Sequence, residues 1–421
     1  MFFSKHFFKS TVFASSIYLY LSHFADYILA LFFLPFIAKT IGAIEFGKIG
    51  LAQSFGILII LIIEFGSSTM ATRKVALIKA DDKAMKKFID ELFTFKICLM
   101  PIAILLSFAA VAFIPAFKNE PIYLIIAVVG SIFHGISPSW YFQGIEKMKN
   151  IAMSKIIFRS IGFLFILLFV KSPKDSWIVL SSYAMTSFLI FTHLNIIILK
   201  KYGASKLVSS KRVIKVLMES LSSFFISIIP VIYQNFSLFL MSAFISPVQL
   251  GYYYGANRVY RAFNTLYGPI SQAYFPALSS ANLSNKIIFK YLLKKYFLLI
   301  TVIGLAFFMI NYFLAELIIF NFLGKDYSGA VEILKLFSIV LFLTALSNAL
   351  GRQWIIGTNK DFYFFSIQSL SSIAGFTFFF FTFKNIGVKA LPLSIIIFEI
   401  FTILFCSIFL ILNVKHSYFD K

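Results

Sequence analysis

Long apolar stretches recur along the whole chain, separated by short segments that carry charge, glycine or proline. Each stretch approaches the 20 or so residues that an α-helix needs to cross about 30 Å of hydrocarbon. Twelve of them can be marked, at roughly 12–38, 48–71, 91–115, 122–141, 152–170, 176–199, 220–245, 251–275, 296–320, 331–356, 362–383 and 390–413. The pattern predicts an all-α polytopic membrane protein with about twelve transmembrane helices and no soluble domain.

The composition agrees with this prediction. Hydrophobic residues make up 60% of the 421 residues and charged residues only 13%, whereas a soluble domain is about half apolar and a quarter charged. The net charge of +21 would suit a nucleic-acid partner, but basic residues of membrane proteins collect in cytoplasmic loops. We therefore expect no nucleic-acid partner. Cys98 and Cys406 form no metal-spaced pair, so we expect both to pack as small hydrophobic residues, with no cofactor or metal.

The basic residues predict the orientation of the bundle. If the N-terminus is cytoplasmic, 24 of the 38 lysines and arginines lie on the inside and eight on the outside. This bias places both termini in the cytoplasm. The remaining six fall within the predicted spans: Lys96, Arg159, Arg258, Arg261, Lys335 and Arg352.

A weak internal repeat divides the chain. Residues 41–52 (IGAIEFGKIGLA) align without a gap with residues 245–256 (ISPVQLGYYYGA), and both follow the first predicted helix of a half. We predict two six-helix lobes, residues 1–205 and 206–421. Six helices bring both lobes in from the same side, as in transporters with parallel repeats around a central cleft.

Polar residues follow one face of the seventh predicted helix. Ser223, Ser227, Pro230, Gln234 and Ser237 are spaced by 4, 3, 4 and 3 positions, which places them on one side of a helix. Two interpretations stand at this point. The side chains bond neighbouring helices, or they line a watery lumen and contact substrate.

The eighth predicted helix carries a second polar face. It consists of Tyr254, Arg258, Arg261, Thr265, Gly268 and Gln272. Two guanidinium groups one turn apart inside a membrane are costly unless they meet water, carboxylates or an anion. One interpretation pairs them with Asp26 or Glu64. The other is an anion site, because arginine holds phosphate through two hydrogen bonds and keeps its charge.

Other ionisable residues also fall within the spans. We expect Arg159 and Arg352 to join the substrate site, and Asp26, Glu64 and Glu399 to act as coupling acids or as structural ion-pair partners. Lys96 and Lys335 lie near predicted helix ends, where their side chains can extend to the membrane surface. The mixed-charge segment 73–92 is expected to be a surface helix on the headgroups.

Several segments resemble a known group of transporters. They are LPFIAKTIGAIEFGKIG (34–50), EFG (64–66) with Arg73, SWYFQGIEKMK (139–149), GYYYGANR (251–258) and PISQAYFP (269–276). Their combination resembles the O-antigen flippases, in the polysaccharide-transport branch of the multidrug/oligosaccharidyl-lipid/polysaccharide exporter superfamily. The resemblance implies two six-helix lobes, a cation-lined lumen in a bacterial inner membrane, and an undecaprenyl-diphosphate-linked oligosaccharide as substrate.

Membrane lipids and other polysaccharide-assembly proteins are the further partners we expect. Two rival functions stay open. A multidrug or cation exporter of the same superfamily would favour acidic lumen residues, whereas arginine and lysine predominate here. A membrane polysaccharide polymerase or glycosyltransferase commonly needs a sizeable outer loop, which the chain lacks. We therefore predict a transporter and not an enzyme.

Overall fold

A computed structural model gives the fold. It describes residues 11–242, 244–268, 286–355 and 360–419, with 270, 271, 274, 278 and 358; the side chains of 11–32, 222, 225–227, 229–238, 240, 352, 361 and 413–419 lie outside the description. The described residues contain helices and no strand. This is expected in lipid, where a helix satisfies every backbone hydrogen bond internally.

The chain forms two compact units, Met1–Ala243 and Phe244–Lys421. The helices of the first unit are α1 (Thr11–Glu64), α2 (Ser67–Ile78), α3 (Asp82–Phe113), α4 (Pro115–Asn119), α5 (Pro121–Ile136), α6 (Ser139–Gly144), α7 (Met148–Phe169), α8 (Ser176–Tyr202) and α9 (Ser210–Met241). Those of the second unit are α10 (Pro247–Thr265), α11 (Lys286–Phe313), α12 (Ala315–Phe322), α13 (Ala330–Ser347), a π-helical segment (Asn348–Ile355), α14 (Asp361–Ile386) and α15 (Ala390–Phe419).

The all-α membrane fold predicted from hydropathy is confirmed. In the part of the chain that the structure describes, each of the twelve predicted stretches overlaps a helix or one arm of α1, which breaks at Gly42 (φ 75°). Within the described residues, eight segments are long and apolar enough to span a membrane, and the longest, Phe362–Leu412, contains two successive helices. Large apolar side chains such as Leu105, Phe108 and Phe113 are exposed, as lipid-facing residues are.

Two helix breaks shape the first unit. The chain turns between α1 and α2 at Phe65 and Gly66, both of which have positive φ. A second break at Ser137 and Pro138 separates α5 from α6, because the ring of proline excludes the helical conformation of the residue before it. Helices α2 and α6 pack against each other.

The expectation that segment 73–92 forms a surface helix is wrong. The segment is divided between α2 and α3, and the apolar residues Met85, Phe88, Ile89 and Leu92 are buried in the core of the unit rather than on lipid headgroups. Helix α3 begins at Asp82, about two turns before the predicted span, because Asp81 accepts hydrogen bonds from the amides of residues 83 and 84 as an N-cap.

The connection between α8 and α9 is held against α3 by hydrogen bonds. Lys86 Nζ donates to the Ala204 carbonyl at 2.7 Å, and the amide of Lys206 donates to Asp90 at 2.9 Å. The amide of Val208 donates to Thr94 at 3.2 Å. Helix α9 then packs on α1, α2 and α3. The division into lobes at 205/206, which rests on the sequence repeat, stays a prediction.

Candidate functional site

The arginine face of the second unit is set by the start of α10. Ser246 and Gln249 form a reciprocal capping box, and Pro247 occupies the first helical turn. These features fix where the helix begins. Arg258 and Arg261 follow 11 and 14 residues after Pro247, on the order of 16–21 Å along the helix axis.

Arg258 is held by an aromatic neighbour on its own helix. Its Nη2 donates to the hydroxyl of Tyr254 at 2.8 Å, and its guanidinium lies 5.0 Å from the ring centroid. Tyr254 is itself buried. The predicted pairing of these two residues on one face is therefore present, and the contact orients the guanidinium through both a hydrogen bond and a cation–π interaction.

Arg261 has a different environment. Its side chain is half-buried and lies near Tyr253 and Tyr260, both of which lie on α10. Among the residues that the structure describes, Arg261 forms no ion pair with a carboxylate. Its positive charge is therefore not neutralised by a described acid.

Glu399 is buried inside the second unit, in the middle of α15. Its Oε1 accepts a hydrogen bond from Thr344 at 2.8 Å, and the Ser347 and Tyr260 side chains lie nearby. Its Oε2 has no hydrogen-bond partner in the described part of the chain. An acid with one free oxygen in an apolar interior can exchange a proton or contact a cation.

The first unit places its predicted residues in separate surroundings. Arg159 donates to Thr186 Oγ1 at 3.1 Å and lies over the ring of Tyr183 at 5.1 Å. Glu64, at the end of α1, accepts from the hydroxyl of Ser68 at 2.9 Å. Arg159 therefore contacts α8, whereas Glu64 lies at the turn between α1 and α2.

Five further predicted residues cannot be placed. Gln272 lies outside the described residues, and so do the side chains of Asp26, Ser227, Gln234 and Arg352, although the backbones of these four are helical. The roles of all five stay predictions.

Two expectations about single residues are wrong. Lys96 does not extend to the membrane surface: it is 3% exposed, and its Nζ donates to the Gly135 carbonyl at 2.7 Å. The early start of α3 puts Lys96 almost four turns from the helix end, too far to reach it. Cys98 is exposed rather than packed, whereas Cys406 is buried as expected.

Sequence reasoning missed several groups that surround the predicted residues. Thr344, the donor to Glu399, is 55 positions away from it, and Gly135, the acceptor for Lys96, is 39 positions away. No local pattern could have joined such distant positions. In the described residues no three histidine, cysteine or acidic side chains gather to hold a metal ion.

The helices and charges define a class: a polytopic α-helical membrane protein with two arginines on α10 and a buried acid on α15. The chain belongs to the family described as polysaccharide biosynthesis protein, which it matches over residues 12–282. The resemblance seen in the sequence motifs is thereby confirmed.

Two relatives extend over most of the chain. The "Putative O-antigen transporter" of Escherichia coli (strain K12) is 27% identical over 355 residues, covering 82% of this chain and 84% of that protein. The protein of the same name from Shigella dysenteriae is 24% identical over 394 residues, covering 92% of this chain and 97% of that protein.

Solved structures share the fold. The lipid II flippase MurJ in an inward closed conformation superposes with a TM-score of 0.71 at 18% identity, covering 96% of this chain and 87% of that one. An inward-facing multidrug resistance MATE-family transporter of the MOP superfamily gives a TM-score of 0.66 at 13% identity, covering 96% of this chain and 99% of that one. At these identities the likeness concerns the fold alone.

Proposed function

We propose that the chain is a flippase of a bacterial inner membrane. It moves an undecaprenyl-diphosphate-linked oligosaccharide, such as an O-antigen repeat unit, from the cytoplasmic to the periplasmic leaflet by alternating access. Both termini lie in the cytoplasm, and the twelve spans form two six-helix lobes. The chain performs transport and no covalent chemistry.

The observation that carries this proposal is the positive charge of Arg261, which no carboxylate in the described residues neutralises. A guanidinium on a helix of a membrane protein, without a described carboxylate partner, is costly unless an anion or water meets it. A diphosphate supplies such an anion, and its oxygens match the planar donors of arginine. Arg258, oriented by Tyr254, stands one turn away and provides the second cation.

The other predicted residues receive roles that fit this substrate. Arg159 and Arg352 add positive charge, and Tyr254, Ser227, Gln234 and Gln272 offer hydrogen bonds to sugars. The names of the two relatives support an O-antigen substrate, and sharing a fold with a lipid II flippase supports a lipid-linked one. Other polysaccharide-assembly membrane proteins are the partners that would supply and use this substrate.

The acids are proposed to couple or to balance charge. Glu399, with one oxygen free of described hydrogen bonds, is the candidate coupling acid. Glu64 and Asp26 balance positive charge in the first unit.

Glu399→Gln keeps the shape of the side chain and the Thr344 contact but removes the exchangeable charge. Transport driven by a proton gradient should therefore stop, while membrane expression stays normal. Unchanged surface glycan in this variant would remove Glu399 from the coupling role.

The test of the function is gene deletion with complementation. Loss of surface polysaccharide, together with lipid-linked repeat units retained on the inner leaflet, is the result expected of a flippase. Altered drug sensitivity with normal surface glycan would instead indicate a multidrug or cation exporter. If repeat units reach the outer leaflet but no polymerised glycan forms, the result would indicate a polymerase.

Single substitutions then test the site. Arg261→Ala loses charge-assisted hydrogen bonds worth about 1.5–3 kcal/mol, so substrate affinity should fall about ten-fold or more. Arg261→Lys keeps the charge without the paired donors and should give an intermediate loss. Arg212→Ala, which removes an exposed arginine at the start of α9, is the matched control. Equal surface glycan in all three variants would exclude Arg261 from the site.

A further inference from the structure

An apolar cleft runs along the first unit, and none of the residues assigned to substrate lines it. One wall is the face of α3 between Ile89 and Met100, and the other is the face of α8 that carries Phe191, Asn195 and Ile198. Trp140 lies at its floor. The α3 wall is 11 residues long, on the order of 16 Å, and the empty volume is about 460 Å³, part of it open to the surroundings.

The break between α5 and α6 produces this cleft. Helices α3 and α8 each pack on α5, but α5 ends at Ile136 and the chain restarts as α6 at Ser139. The cleft lies over this junction, which is lined by Ile136, Pro138 and Trp140. It is therefore a consequence of the same proline that interrupts the helix.

Three polar groups line the otherwise apolar cleft. Lys96 uses one of its three donors on the Gly135 carbonyl. The side chains of Asn195 and Ser205 form no hydrogen bond with any residue that the structure describes. Hydrocarbon fits the walls, and the oxygens of an ester or a headgroup fit these donors.

The end of the cleft at Ser205 carries a net positive charge. The fastened connection between α8 and α9 passes here, with Lys86 and Lys201 paired to Asp90 and Asp82. Four more lysines on these segments have no ion pair among the described residues: Lys83, Lys87, Lys200 and Lys206. Basic side chains beside a membrane attract anionic headgroups.

We propose that this cleft binds an anionic membrane phospholipid. One acyl chain lies between α3 and α8, and the phosphate lies at the Ser205 end beside Lys206. An acyl chain matches the length and the apolar walls, and the uncompensated lysines select a lipid with net negative charge over a zwitterionic one. The site is independent of the flippase proposal.

Trp140 provides a built-in probe. The chain has three tryptophans, so Trp177→Phe with Trp354→Phe leaves Trp140 as the only one. Trp140 is 5% exposed and lines the cleft, so a brominated acyl chain that enters the cleft comes into contact with it and quenches its fluorescence. The full-length variant is placed in phosphatidylcholine vesicles that contain a small fraction of brominated phosphatidylglycerol or brominated phosphatidylcholine.

Brominated phosphatidylglycerol should quench Trp140 at a mole fraction about five-fold lower, or more, than brominated phosphatidylcholine does. About five-fold is the gain in affinity for an anionic headgroup that one lysine near a membrane surface contributes. Lys206→Ala should raise that mole fraction up to about five-fold. Lys211→Ala removes an exposed lysine on α9 that is six positions from the lining residue Ser205, whereas Lys206 is adjacent to it, and should leave the mole fraction unchanged. Ile97→Phe, which narrows the cleft, should reduce quenching by both lipids.

Three results would overturn the proposal. If neither lipid quenches Trp140, no acyl chain enters the cleft. Equal quenching by both lipids, or equal effects of Lys206→Ala and Lys211→Ala, would mean that the cleft does not select an anionic headgroup. Relief of quenching by an equal fraction of polyprenyl phosphate would assign the cleft to a polyprenyl chain instead.

Discussion

The sharpest prediction about stability concerns the buried amino group of Lys96. Lys96 donates to the Gly135 carbonyl, at the end of α5, and interacts electrostatically with Glu64, at the end of α1. It therefore connects α3 with the two helices that break inside the first unit. We expect Lys96→Met, which conserves length and removes the charge, to destabilise this arrangement.

Two losses set the magnitude. The buried carbonyl of Gly135 loses its donor, which costs about 1–3 kcal/mol. Glu64 loses a nearby positive charge with which it forms no direct ion pair. A pair about 4 Å apart is worth about 4 kcal/mol at an effective dielectric constant of about 20, so this more distant interaction is on the order of 2 kcal/mol. Lys96→Met should therefore lower the free energy of unfolding by about 3–5 kcal/mol, the sum of these two losses.

The double variant separates these losses. Glu64→Gln removes the charge that Lys96 compensates, so Lys96→Met with Glu64→Gln should be less destabilised than the sum of the single variants, by about 2 kcal/mol. Unfolding of the purified chain by denaturing detergent in mixed micelles, followed by fluorescence, measures each value. Lys335→Met, which replaces an exposed lysine of α13, is the control and should cost below about 1 kcal/mol. Additivity of the two single variants within about 0.5 kcal/mol would refute the coupling.

Two further predictions concern packing. Gly66→Ala should destabilise the first unit by about 2–4 kcal/mol. Gly66 has φ 69°, and an added Cβ would lie 2.7 Å from the Ser220 carbonyl oxygen. Gly268→Ala is the control and should change stability little, because the added methyl meets nothing within 4 Å. A membrane-soluble maleimide should label exposed Cys98 and spare buried Cys406, as measured by mass spectrometry.

Each of these has a clear contrary result. Equal stability of the two alanine variants would mean that the turn between α1 and α2 does not need a bare glycine against α9. Labelling of both cysteines at similar rates, or labelling that persists after Cys98→Ala, would contradict the burial assigned to Cys406.

The positions of single side chains divide into those that hydropathy could predict and those that it could not. The face that joins Tyr254 to Arg258 was predictable, because residues four apart are neighbours on any helix. The depth of Lys96 was mispredicted, because the start of α3 depends on an N-cap at Asp81 that lies before the apolar stretch. Apolar periodicity alone marks where the lipid begins and not where the helix begins.

The sequence by itself determined that this chain is a helical membrane protein, since a backbone in lipid must bond within its own helix wherever the stretch is apolar and long enough. It also determined that Tyr254 and Arg258 share one face of a helix, which follows from helix spacing. Only the tertiary structure decided which donor meets which acid. Thr344 and Glu399, or Lys96 and Gly135, are brought together by packing between helices far apart in the chain, and that packing depends on shapes that no local pattern records.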